Sequence, residues 1–407
     1  MLAKRIAAVE GGAFGVATAS GSSAVFYSLV NLAQNGDNIA YSNKIYGGSQ
    51  TLLVHVLKRF GIEGRVFDID NLSSLEKIID DKTKAIFFES LSNPQIAIAD
   101  VETITNIAKK HKIVTICDNT VATPILFRPF DFGVDVSVHS LTKYINGHGS
   151  GLGGAVIERE GLNELIKDNS RYPAFNTPDE SYHGLIYANL PLPIFSIRIL
   201  IEWLRNIGAS LSPQNAWIHF QGLETLELRI QKHSDSALEI AKFLESHKKV
   251  KEVNYPGLTS SPYHNLLKKY FKDSRASGLL SFEAQSYEEA KKICDSLTLY
   301  SITANIGDSK SLVIHPASTQ RRWNICGKCS ITAPLSQPST PATSLLRTML
   351  VTVLICSLVA KVSKIIAIAR PTTPLPTAAW MVILLLVDVG MPNMTCLRKL
   401  LHSATRE

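Results

Sequence analysis

Lys143 lies in the run Asp135-Val-Ser-Val-His139-Ser140-Leu-Thr142-Lys143-Tyr-Ile-Asn-Gly147-His148-Gly149. A β-branched stretch there gives way to a lysine flanked by two hydroxyls, then to a glycine-rich turn. Upstream, the apolar stretch Ile113-Val-Thr-Ile-Cys117 ends in Asp118-Asn119-Thr120. A lysine and an aspartate at the ends of two strands suit pyridoxal phosphate. The amine can form a Schiff base with the aldehyde, and the carboxylate can pair with the pyridine nitrogen. A solvated loop lysine and a turn aspartate would each be ordinary alone, so the neighbouring motifs decide.

Ala19-Ser20-Gly21-Ser22 stands just before a helical pattern. Small residues there let the backbone N–H groups of Gly21 and Ser22 and a helix N-terminus approach a phosphate. Ser140 and Thr142 can add hydroxyl donors. Tyr46-Gly47-Gly48 puts an aromatic ring on a permissive backbone, suited to stacking on a planar ring. Glu89-Ser-Leu-Ser-Asn93-Pro94 ends a strand pattern with an amide that can reach a phenolic oxygen. A cap, a core tyrosine and an Asn-Pro turn are the plain alternatives.

These residues need elements to hold them. The pattern predicts helices over Ser22–Ala33, Ser49–Phe60, Leu72–Ile79 and Val101–His111. Strands are predicted at Asn38–Ser42, Arg65–Phe67, Ala85–Glu89, 113–117, 134–138 and 153–157. Continuous apolar strands separated by amphipathic helices imply a mostly parallel sheet covered on both faces. Ligands sit at the carboxyl ends of such strands, where Asn93, Asp118 and Lys143 fall. After an irregular stretch at 160–195, helical periodicity returns at Ile197–Asn206 and over Leu223–His247, the longest helical candidate. Strands at Lys251–Asn254, Gly278–Glu283 and Leu312–Ile314, with helices at Tyr263–Phe271 and Tyr287–Leu297, make a second, smaller α/β unit.

Charge divides the chain of 407 residues unevenly. It carries 42 Lys/Arg and 35 Asp/Glu, net +7, yet residues 321–407 hold all of the excess, with ten bases against Asp388 and Glu407 as their sole acids. The body is near neutral, and nucleic-acid binding is not expected of it. Only Cys117 and Cys294 of the six cysteines precede residue 321, too few for a disulfide framework, so a reducing, cytoplasmic setting is expected. The N-terminus reads as a helix and not as a signal peptide. The tail runs Met349–Ala360 and Ala378–Val387 fall short of the roughly 20 residues of a spanning helix, so no membrane partner is expected. Cys326-Gly-Lys-Cys329 lacks two further ligands, and no metal is expected.

In order and spacing these motifs resemble the Cys/Met-metabolism family of pyridoxal-phosphate enzymes. Ala19-Ser20-Gly21, Tyr46-Gly47-Gly48, Ser92-Asn93-Pro94, Asp118-Asn119-Thr120, His139–Tyr144 and His315-Pro-Ala-Ser-Thr319 carry the likeness. Pro178–Leu185, Gly208–Pro213 and Gly222–Arg229 point to its sulfhydrylase branch. Methionine γ-lyases typically have a cysteine where Gly48 stands, which counts against them. The resemblance implies fold type I, the aspartate-aminotransferase-like α/β fold, with a large domain at 1–222 and a smaller one at 223–320. It implies γ-replacement between an amino-acid ester and sulfide (O-acetylhomoserine to homocysteine), in a homodimer or homotetramer. A cystathionine synthase or lyase is the alternative within the family.

By the same resemblance Lys143 is the Schiff-base lysine and proton shuttle, Asp118 holds the pyridine nitrogen, Tyr46 stacks and Asn93 meets the phenolic oxygen. Gly21, Ser22, Ser140 and Thr142 take the phosphate, and Asn305 and Ser318 contact substrate. Two departures temper the expected activity. The family has an N-terminal arm with a Tyr-x-Arg pair, and this chain starts after it. No Arg-Leu-Ser-Val-Gly motif, whose arginine takes the substrate carboxylate, follows Gln320. Residues 321–407 read as a poorly ordered tail outside the family, and the chain is expected to bind cofactor but turn over slowly.

Overall fold

The apolar runs of the first half become a seven-stranded sheet in the order β1-β7-β6-β5-β4-β2-β3. This computed structural model describes residues 1–315 and, as backbone, the strand Lys328–Thr332. The strands are β1 (Phe14–Thr18), β2 (Asn38–Ser42), β3 (Glu63–Phe67), β4 (Thr83–Glu89), β5 (Val114–Asp118), β6 (Val136–Ser140) and β7 (Gly154–Glu158). Strands β2 to β6 pair in parallel, while β7 lies antiparallel to both β6 and β1. Alternation sends neighbouring residues of one strand into different cores. Phe87, Ile116, Val138 and Val156 enter one cluster, and Phe88, Cys117, Ala155 and Ile157 enter the other. Both faces are therefore buried, which is why the strands read as unbroken apolar runs.

A second sheet has the order β10-β11-β12-β9-β8. It comprises β8 (Val250–Asn254), β9 (Leu279–Ala284), β10 (Ser301–Ile302), β11 (Leu312–Ile314) and β12 (Lys328–Thr332). Strand β12 falls in the stretch that the sequence reading assigns to the tail. It pairs antiparallel with both β9 and β11 and so completes the middle of this sheet. Ser318, Cys326, the Cys329 side chain and the two apolar tail runs lie outside the described residues. Among the described residues no helix is long and apolar enough to cross a membrane.

The boundaries differ from expectation where local chemistry competes with periodicity. Strand β1, absent from the sequence reading, is short and contains Gly15. The predicted helix Ser49–Phe60 runs as an α turn at Gly47–Thr51, a π turn at Leu52–Val56 and a 3₁₀ turn ending at Gly61. The long predicted helix Leu223–His247 is interrupted at Thr225, between helices Pro213–Glu224 and Leu226–Glu245.

Arg229, on the second of these helices, explains how that junction serves the site. Its guanidinium donates to the carbonyls of Tyr144 at 2.6 Å, Ile145 at 3.2 Å and Gly222 at 2.5 Å, while Nε donates to Thr225 Oγ1 at 3.0 Å. Burial lowers its pKa to about 10. Gly147, at φ 75°, approaches so closely that a Cβ would stand 2.2 Å from Arg229 Nη1. The turn after Lys143 is thus clamped to the helix. Arg229→Met should lower stability by several kcal/mol, since each buried acceptor left unpaired costs about 1–3 kcal/mol. Denaturant unfolding of both proteins checks this, and an unchanged midpoint would mean that the clamp contributes nothing.

Candidate functional site

The carboxyl ends of the parallel strands open into a cavity of about 320 Å³, within the size range of small-molecule sites. Gly21, Ser22, Tyr46, Asn93, Asp118, Ser140, Thr142, Lys143 and Asn305 all line it. Nine of the ten residues singled out from the sequence therefore meet at one place. Ser318 is the exception, since it is not among the described residues.

Lys143 sits on the turn that follows β6. Its Nζ donates to Asn305 Oδ1 at 2.6 Å, and burial lowers its pKa. A neutral amine is a nucleophile and a base, whereas an ammonium is neither. Asn305, expected at the substrate, comes from the loop between β10 and β11. It ties the second sheet's edge to the lysine.

Asp118 ends β5, and its Oδ1 accepts from the Thr120 backbone N–H at 3.0 Å. Burial raises its pKa. The adjoining strand end is held from behind by Glu10, fully buried on the helix Leu2–Glu10. Glu10 accepts from Asn119 Nδ2 at 2.9 Å and Ser137 Oγ at 2.9 Å, and lies 2.8 Å from His139 Nε2. The N-terminal helix thereby braces both β5 and β6. The sequence reading missed Glu10, because a helix-end glutamate normally signals a solvated face.

The four residues expected at a phosphate, Gly21, Ser22, Ser140 and Thr142, line the cavity. Ser20 caps the helix Gly21–Val30 and accepts from Ser23 N. A Cβ on Gly21 would stand 2.6 Å from Ser140 Cβ, so only glycine lets the helix start approach that hydroxyl. Thr142 Oγ1 donates to the Gly153 carbonyl at 3.3 Å and accepts from its N–H at 3.1 Å, which fixes the turn before Lys143.

Tyr46 is 47 % exposed at the cavity wall. Its backbone N–H donates to Glu89 Oε1 at 2.6 Å, and the Asn93 N–H donates to Glu89 Oε2 at 3.1 Å. Glu89 ends β4 directly beside Asp118 in the parallel register. Burial, and then the charge of Asp118, push its carboxyl well above the usual carboxylate range. The sequence reading took Glu89 only as the end of a strand. An acid closing an otherwise apolar strand was the available signal.

The residues suit pyridoxal phosphate. Small residues at a helix start and two hydroxyl-bearing residues line the cavity together with a carboxylate, an amide, an aromatic ring and an amine of lowered pKa. Among the described lining residues the charged side chains are Glu89, Asp118 and Lys143 alone.

Comparison with known proteins agrees with that chemistry. A family model described as Cys/Met metabolism PLP-dependent enzyme matches residues 1–325. An O-acetyl-L-homoserine sulfhydrylase of Leptospira meyeri is 39 % identical over 329 residues, covering 78 % of this chain and 74 % of that protein. A homocysteine synthase of Schizosaccharomyces pombe is 40 % identical over 322 residues with the same coverage. Among solved structures, a Campylobacter jejuni protein assigned as an O-acetylhomoserine (thiol)-lyase is 61 % identical, with a TM-score of 0.82. That match covers 86 % of this chain and 84 % of that one, and the crystal contains N'-pyridoxyl-lysine-5'-monophosphate.

Proposed function

Because the chain belongs to the Cys/Met-metabolism PLP-dependent enzymes, we propose that it catalyses γ-replacement, converting O-acetylhomoserine and sulfide to homocysteine and acetate. The observation that carries this reading is the convergence of Lys143, Asp118, Tyr46 and Asn93 on one cavity at the strand ends. The names of the relatives support the ester and the thiol product. A homodimer or homotetramer in the cytoplasm belongs to the same reading. Leu152, 61 % exposed at the cavity, and the half-exposed Tyr46 ring leave apolar surface for a neighbouring subunit to cover. A division into a cofactor-binding part at 1–222 and a smaller part at 223–320 belongs to that reading as well.

Bound pyridoxal phosphate supplies an electron sink that stabilises negative charge at the substrate Cα. Lys143 Nζ would hold the cofactor aldehyde and carry protons to and from the substrate carbons, a task suited to its lowered pKa. The Asp118 carboxylate would hold the proton of the pyridine nitrogen. The Tyr46 ring would stack on the cofactor, and the Asn93 amide would meet its phenolic oxygen. Gly21 and Ser22 N–H groups, with Ser140 and Thr142, would hold the phosphate. Asn305, hydrogen-bonded to Lys143, would contact the substrate, and the sequence reading adds Ser318 to it.

Two measurements test this reading. Borohydride reduction of the cofactor-loaded protein, followed by peptide mapping, should place one pyridoxyl group on Lys143. Sulfide-dependent release of homocysteine from O-acetylhomoserine should accompany it. An adduct on another lysine, or cysteine outcompeting sulfide as the nucleophile, would overturn the site or the substrate in turn. A second reading, cofactor binding with slow turnover, rests on the lining: no arginine stands there among the described residues to anchor a substrate carboxylate. Positioning of that kind contributes several kcal/mol to catalysis. A Lys143 adduct without homocysteine release would select this second reading.

A further inference from the structure

Glu89 is costly where it stands. It is 5 % exposed, and the like charge of Asp118 lies alongside it in register. Among the described residues no cation acts on its carboxyl; burial and Asp118 push its pKa up, and two backbone N–H groups favour its charge. Those two donors come from separate loops. One is Tyr46, which precedes the helix Gly47–Thr51, and the other is Asn93, at the turn before Pro94. Two converging donors require a group with two acceptor oxygens. The Glu89 carboxyl offers both, and a proton on one of them can turn away from the N–H it meets, whereas a glutamine would turn an amide N–H toward one of the donors.

We propose that Glu89 is a positioning residue that ties the Tyr46 and Asn93 backbones to the end of β4, and so fixes ring and amide against Asp118. The inference rests on reading the cavity as the pyridoxal-phosphate site, and deepens that reading. The Tyr46 carbonyl accepts from the Gln50 N–H at 3.0 Å, so Glu89 supplies the tie on the amide side of the residue whose ring is 47 % exposed. Its N–H bond to Glu89, at 2.6 Å, is the shorter of the two. The stacking wall and the phenolic-oxygen contact would then move together when Glu89 changes, although they belong to different loops.

The test uses the full chain, stripped of cofactor and reconstituted with pyridoxal phosphate. Wild type must first take the cofactor onto Lys143 under borohydride; if it does not, the functional reading fails and this inference falls with it. Given that, Glu89→Gln should bind pyridoxal phosphate about tenfold more weakly or worse, the scale set by one buried donor left unpaired. The visible circular dichroism per bound cofactor should shrink or change sign as the ring beside it tilts. Melting of the cofactor-free variant should change little, since the lost hydrogen bond is offset by removing a like charge beside Asp118. Wild-type affinity and dichroism in the folded variant would refute the tie. Reduced melting with unchanged dichroism would also refute it, by making Glu89 merely structural. If Glu89→Gln does not fold, Glu89→Asp decides, since its shorter stem can reach only one of the two N–H groups. Altered dichroism there supports the tie, and unaltered dichroism rejects it.

Discussion

Lys143→Ala should reduce homocysteine formation by about a thousandfold or more while leaving the fold intact. Removing a positioned acid–base group costs about 10²–10⁴-fold, and here the same atom also binds the cofactor. The fold should survive because the Nζ makes one side-chain bond, to Asn305, in a half-buried position. The turn around it is fixed by other groups: the Arg229 clamp on the Tyr144 and Ile145 carbonyls, and Thr142 on Gly153. Far-ultraviolet circular dichroism and melting should therefore match wild type. Pyridoxal phosphate should still bind through the phosphate cradle but should no longer become fixed under borohydride. Lys143→Arg should behave like the alanine variant, because a guanidinium is always protonated and can neither condense with an aldehyde nor accept a proton. Should either variant retain wild-type turnover, or should borohydride still attach the cofactor elsewhere, the role assigned to Lys143 is wrong. This holds even if the basal rate is low, since the fixation assay does not depend on turnover.

The site was legible in the sequence because its parts sit at punctuation marks. Asp118 ends an apolar strand, Asn93 and Lys143 follow the ends of two others, and Gly21 opens a helix, so the set of motifs together, with the family resemblance, locates them. The residues that brace the site carry no such mark. Glu10 reads as the polar end of an amphipathic helix, and only the packing of that helix against β5 and β6 makes it a buried acceptor for three side chains. Glu89 was visible as a letter but not as a hub, because its partners at positions 46 and 93 come from different loops. Strand β1 was lost for a related reason. Phe-Gly-Val-Ala-Thr is too short and too small to declare itself, and its partner β7 lies far along the chain. Strand β12 shows the opposite effect: a change in composition after Gln320 suggested that the ordered pattern had ended, yet Lys328–Thr332 inserts between β9 and β11. Lys-Cys-Ser-Ile-Thr is a short run of mixed polarity, which a search for fully apolar runs overlooks.

Asp118→Asn should separate stability from catalysis, moving them in opposite directions. Turnover should fall by about 10²–10³-fold, the scale found when one preorganised electrostatic partner is removed. An amide keeps the shape, and its Oδ1 can still accept the Thr120 N–H that Asp118 receives at 3.0 Å. It cannot balance a positive charge on the pyridine nitrogen, so the ring accepts electrons less readily and the loss should appear in kcat more than in KM. The cofactor-free protein should respond in the other sense. Burial raises the Asp118 pKa in the folded chain. Relative to an unfolded value of about 3.9, the folded state therefore holds the proton more tightly. The resulting penalty is absent below the unfolded pKa, where both states are protonated, and grows as pH rises toward the folded pKa. Glu89, beside Asp118 in the strand register, adds to the penalty when both are charged. Asp118→Asn should thus melt higher than wild type at neutral pH without cofactor, by an amount that vanishes near pH 3. With cofactor bound the order should reverse, because the wild-type carboxylate then gains its cationic partner. Paired melting curves with and without pyridoxal phosphate, at both pH values, check this. Equal turnover, or equal melting under all four conditions, would leave Asp118 as a structural residue with no charge partner.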